Sequence, residues 1–119
     1  MPVTHSKEVP VQELFPGFEM QLMVSRESGS QAVTVISETL HPGGKIPPHR
    51  HKVEGAMYVY AGSGYLQIEG EGTHEVGPDM GLLVPANTWH SMWNDGPDDL
   101  KYVTVHPAVD VMREMKDER

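Results

Sequence analysis

The residues best suited to chemistry in this chain are three histidines, His49, His51 and His90. His49 and His51 flank Arg50 in the stretch Gly43-Gly44-Lys45-Ile46-Pro47-Pro48-His49-Arg50-His51. On an extended segment side chains alternate, so both imidazoles point to one face and Arg50 to the other. His90 arrives behind a second turn signal, in Val84-Pro85-Ala86-Asn87-Thr88-Trp89-His90-Ser91-Met92-Trp93-Asn94. Converging neutral imidazoles suit a divalent transition metal. The chain has no cysteine, so a bound metal must use nitrogen and oxygen donors, and no disulfide framework is available. Of the seven histidines, four call for other readings. His5 sits in a loose terminus, His41 ends a strand before Pro42-Gly43, and His74 lies in the polar stretch Gly72-Thr73-His74-Glu75, all surface positions. His106 follows Tyr102-Val103-Thr104-Val105 and either lines a cavity or packs as a hydrogen-bonded core histidine.

Short strands must position these side chains. Twelve glycines and ten prolines cut the sequence into short runs whose apolar residues alternate or cluster, the pattern of an all-β barrel or sandwich. The predicted strands are 18–24, 32–40, 56–61, 65–69, 74–76, 80–84, 89–93 and 101–106. Ala61-Gly62-Ser63-Gly64-Tyr65 reads as a tight hairpin turn, and Gly70-Glu71-Gly72 as the next. Only the tail has helical spacing, with Val111, Met112 and Met115 on a narrow stripe that must pack on the barrel or a partner. At 119 residues the chain has the size of one domain, divided as an N-terminal arm (1–17), a barrel (18–106) and a C-terminal helix (107–119). A formal charge of -8 argues against nucleic-acid and anionic-membrane binding, which need clustered Lys and Arg. The N-terminus lacks a basic start followed by an apolar run, and no long apolar stretch occurs, so the expected location is the cytoplasm.

Between Gly43 and Asn94 the chain resembles a small single-domain cupin, whose motifs read G-x5-H-x-H-x3/4-E-x6-G and G-x5-P-x-G-x2-H-x3-N. Gly43, His49, His51 and Gly62 fall on the first, and Pro85, His90 and Asn94 on the second. The resemblance implies a jelly-roll-like β-barrel (double-stranded β-helix) with a metal near its centre, ligated here by His49, His51 and His90. It also implies a homodimer to which the N-terminal strands and C-terminal helix contribute. The chain departs from the motifs in three places. Gly55 stands where the family's ligating glutamate belongs, Asn87 replaces the glycine after Pro85, and Asp79 stands where the second motif opens with glycine. Glu54 is one residue too early, and alternation turns it away unless a bulge intervenes.

Three imidazoles on one side of a metal leave positions for substrate, water or dioxygen. By analogy with three-histidine cupins, the leading reading is a non-haem Fe2+ dioxygenase acting on a small organic molecule, with Mn2+, Ni2+, Zn2+ or Cu2+ as other candidate ions. The alternatives are a non-redox metal-dependent isomerase, lyase or hydrolase, and a non-catalytic ligand-binding or sensing module. Glu54 is the candidate catalytic carboxylate, as a ligand or a general base, against a solvated loop residue. Met57, Val59, Met92 and His106 are the expected substrate-pocket residues, with some of Met20, Leu22 and Val24 beside them. Trp89 and Trp93 should face away from His90, and Arg50 should form a salt bridge on the outer face. Tyr58, Tyr60 and Tyr65 are either phenolic donors or ordinary strand residues.

Overall fold

The computed structural model describes residues 3–117. Eleven strands follow a single 3-10 turn at Ser6–Glu8: β1 (Gln12–Phe15), β2 (Phe18–Val24), β3 (Thr34–Leu40), β4 (Lys45–Arg50), β5 (Gly55–Ala61), β6 (Gly64–Ile68), β7 (Gly72–Val76), β8 (Gly81–Val84), β9 (His90–Trp93), β10 (Leu100–His106) and β11 (Glu114–Met115). They form two antiparallel sheets, ordered β1-β2-β3-β10-β5-β8 and β11-β4-β9-β6-β7. Strict alternation drives the closure: along β3 and β10 every second residue from Thr34 and Leu100 is buried. The inward faces contribute Phe18, Leu40, Ile46, Met57, Val59, Leu66, Ile68, Val76, Val84, Met92, Leu100 and Tyr102 to one core.

The all-β barrel is as expected, and two local readings change. Ala61 to Tyr65 is not a hairpin, because β5 and β6 belong to different sheets and the turn carries the chain from one to the other. Gly62 is required there: its φ is +77°, and a Cβ would lie 1.9 Å from the Asp99 carbonyl oxygen. The β6–β7 hairpin at Gly70-Glu71-Gly72 does form. The second change is the C-terminal helix over 107–119. Its described part, up to residue 117, is an extended strap ending in β11, and residues 118–119 lie outside the described residues, as do 1–2 of the N-terminal arm. The stripe Val111, Met112 and Met115 is too short to sustain a helix alone, whereas the open edge of β4 offers backbone partners. Glu114 and Met115 pair with Arg50 and His49, and the Lys116 amide donates to the Pro48 carbonyl at 3.0 Å.

Candidate metal centre

β4 and β9 set two of the three histidines face to face, since His49 and His90 are cross-strand partners and their ring centroids are 4.1 Å apart. Pro47 and Pro48 cannot donate to the ladder, and the β4–β9 register slips between Ile46 and His49, which brings His49 opposite His90. His51, just beyond β4, shares the face of His49, with ring centroids 5.1 Å apart. One ring nitrogen from each of His49, His51 and His90 falls within 4.8 Å of the others. His106 comes from β10 in the opposite sheet and lies 4.8 Å from the His51 ring, so the cluster spans the barrel.

The four imidazoles are oriented by one device. Nδ1 of His49 donates to the Pro47 carbonyl (2.8 Å), that of His51 to Met112 (2.9 Å), that of His90 to Thr88 (2.9 Å) and that of His106 to Glu54 (3.1 Å). A ring that donates from Nδ1 keeps Nε2 as a bare lone pair. Burial holds the rings neutral. It lowers His49 to about 3, with His90 adding to the effect, and His51 to about 4; it also lowers His90 and His106. The three convergent nitrogen donors of His49, His51 and His90, neutral and with satisfied partners behind them, fit a divalent transition metal, and His106 stands beside them.

The structure explains the glycine at the glutamate position. A Cβ on Gly55 would lie 2.9 Å from Cε1 of His106, so the His106 ring fills the space in front of that backbone. Glu54 does not fill that place. Its side chain is exposed and outside the cavity wall, because alternation along β5 turns it outward, and only its carbonyl reaches the site, through His106.

The rings open onto a cavity of about 400 Å³ between the sheets. Met57, Met92 and His106 line it as expected, with Met20 and Leu22, whereas Val59 is fully buried in the core away from the cavity and the slip between Leu22 and Val24 leaves Val24 exposed. Tyr58 bonds Asp79 on the exterior at 2.8 Å, Tyr60 is exposed, and Tyr65 stacks on Trp93. Arg50 lies over Trp89 at 4.4 Å and bonds Glu114 through two nitrogens, an outer-face salt bridge. His5 caps the 3-10 turn by accepting from the Lys7 amide, His41 is half-buried between two carboxylates, and His74 is exposed.

Among the cavity residues that sequence reasoning missed are Glu38, Tyr102, Thr104 and Arg113. Parity could have found three of them. Glu38 shares the buried face of Thr34, Ile36 and Leu40, while Tyr102 and Thr104 share that of His106. Arg113 gave no such signal, because it lies in the segment read as a helix. Burial pushes Glu38 up, against the pull of nearby Thr104, Tyr102 and Arg113, and it lowers Arg113.

The sequence matches the family described as Cupin domain (Cupin_2) over residues 36–106. It is 28% identical over 105 residues to a gentisate 1,2-dioxygenase of Haloferax sp, a match covering 83% of this chain and 29% of that protein. It is also 28% identical over 95 residues to auxin-binding protein T85 of Nicotiana tabacum, covering 70% of this chain and 51% of that one. The chain thus spans less than a third of the first relative's length and about half of the second's. Among solved structures, the polyketide cyclase RemF from Streptomyces resistomycificus superposes with a TM-score of 0.83 at 24% identity, covering 99% of this chain and 88% of that one. The family match takes in more than half of the chain and every ring of the histidine cluster, so this protein belongs to the cupin family.

Proposed function

We propose that this chain is a metal-dependent enzyme acting on a small organic molecule, with a divalent ion held by His49, His51, His90 and His106. The observation that carries the reading is the shared orientation of the four rings, each tied by Nδ1 to a backbone carbonyl at the wall of one cavity. Fe2+ is the preferred ion, with Mn2+, Ni2+, Zn2+ and Cu2+ compatible with the same donors. When bound, such an ion supplies Lewis acidity and, if ferrous, electrons for dioxygen chemistry. The chain's own contributions are orientation of the ligand lone pairs, neutrality of the rings and apolar walls that exclude water.

A dioxygenase-type reaction is the first reading, supported by the likeness to a gentisate 1,2-dioxygenase. A non-redox isomerase, lyase or hydrolase is the second, supported by Gly55: with no ligating carboxylate, the ion's charge stays uncompensated and available to polarise a substrate oxygen. Elemental analysis of untagged protein, followed by turnover assays, tests both. The expected result is about one ion per chain in the wild type and in Glu54→Ala, with loss in His90→Ala. Oxygen uptake with Fe2+ and gentisate or related hydroxybenzoates selects the first reading, and anaerobic turnover with Zn2+ the second. Saturable binding without turnover makes the chain a sensing module. A wild type that takes up no ion after anaerobic reconstitution sinks the metal centre.

The proposed assembly is a homodimer formed through the outer face of the six-stranded sheet. Register places Leu83, Ala56, Val105, Val35 and Val24 in one cross-strand row, and Leu83 and Val105 are 57% and 38% exposed. Tyr58 and Tyr60 extend this apolar face.

A further inference from the structure

The cavity has a second polar pole that the histidines do not use. Register pairs Glu38 of β3 with Tyr102 of β10, Thr104 follows on the same face, and Arg113 enters from the strap. Tyr102 is 0% exposed and Thr104 5%. The Arg113 Nε lacks a hydrogen-bond partner, while the Tyr102 hydroxyl and the Thr104 Oγ1 have no close hydrogen bond and face only the Glu38 carboxyl. Among the described residues no carboxylate lies in ion-pair range of the Arg113 guanidinium, whose neighbours are the rings of Phe15 and Phe18 at 5.7 and 5.9 Å. Glu38 lowers the local potential without pairing with it. Buried polar groups are nearly always satisfied, and an unpaired guanidinium nitrogen beside two hydroxyls that face only Glu38 marks a place where a ligand supplies the acceptors.

We propose that Arg113, Tyr102 and Thr104 bind the carboxylate of a small monocarboxylate substrate, whose remaining body lies among Met20, Leu22 and Met57 and extends towards the histidine cluster. Arg113 supplies the single positive charge of Lys or Arg type on the cavity wall, and a planar carboxylate matches its fork. A phosphate carries more charge than one guanidinium balances, and Glu38 stands beside it. A neutral amide of the same shape leaves the guanidinium uncompensated. The assignment names the substrate class of the metal centre proposed above and rests on that reading for what happens to the other end of the molecule.

The test is a calorimetric titration of the full chain with benzoate and with benzamide, its uncharged isostere, both after chelation and after reconstitution with Fe2+. Benzoate is expected to bind at least about tenfold more tightly in the chelated protein, where no metal can capture it, and Arg113→Gln should erase that preference while leaving benzamide binding unchanged. Tyr102→Phe guards against a folding artefact. It removes a hydroxyl that makes no close hydrogen bond and keeps the ring, so the thermal midpoint of the free protein should change little while benzoate binding weakens several-fold. Benzoate bound no better than benzamide, including no binding of either, overturns the proposal, as does an Arg113→Gln protein that keeps the preference. A carboxylate preference in a protein that takes up no metal leaves this pole standing and removes the metal centre; metal uptake without the preference does the reverse.

Discussion

At the scale of single residues, the instructive pair is Gly55 and His106. The family's ligating carboxylate is absent, and the imidazole of His106, from the neighbouring strand β10 of the same sheet, occupies the space its stem would need. A side chain at position 55 therefore requires the His106 ring to move. Gly55→Glu alone should destabilise the chain by about 1–3 kcal/mol through overpacking against the ring, whereas Gly55→Glu combined with His106→Ala should recover most of that loss. Denaturant unfolding of the two variants and their metal content are the measurements. Equal stability of the single and double variants would show that the ring does not depend on the missing side chain. Asn87 and Asp79, the other departures from the motifs, have φ of +59° and +68°, so side chains that tolerate the left-handed region stand where the motif has glycine. Asn87 also ties its turn to the site, because its amide donates to the His51 carbonyl at 2.7 Å.

Among the elements, the connections after β3 and before β10 are held by His41, whose Nε2 meets Glu19 of β2 at 2.7 Å and whose Nδ1 meets Asp99 at 2.7 Å. These two carboxylates, Glu19 first, raise the His41 pKa. A group whose folded pKa is raised stabilises fully below its unfolded value of about 6.5, and the contribution is lost as pH rises through the folded value. The ring is partly exposed, so salt screens the effect. The wild-type advantage over His41→Gln in urea midpoint should thus be larger at about pH 6 than at about pH 9 and should shrink at high ionic strength. A pH-independent difference between the two proteins would remove the charge from this account. The strap shows a related economy, since β11 closes the edge of β4, its Met112 carbonyl orients His51, and Arg113 enters the cavity.

For the whole molecule, the barrel leaves an outward apolar row on one sheet while its inner faces close around the cavity. If this row is a dimer interface, Leu83→Glu buries an unpaired charge there and should give monomers in light scattering, with the thermal midpoint of the isolated chain little changed. A wild type that is already monomeric at working concentration would exclude that assembly. Among the described residues no helix is long and apolar enough to cross a membrane. The sequence by itself determined the all-β architecture, most strand positions and the shared face of His49 and His51, because period-two alternation and the turn residues between strands are local properties of the chain; His90 joined them only through the motif resemblance. Only the tertiary structure decided that His90 pairs with His49, that the His106 ring packs against Gly55, that residues 107–117 run as a strap and that Glu38, Tyr102, Thr104 and Arg113 share one cavity. Those facts depend on which strands become neighbours across two sheets, and sheet pairing between distant segments leaves no periodic trace in the sequence of either one.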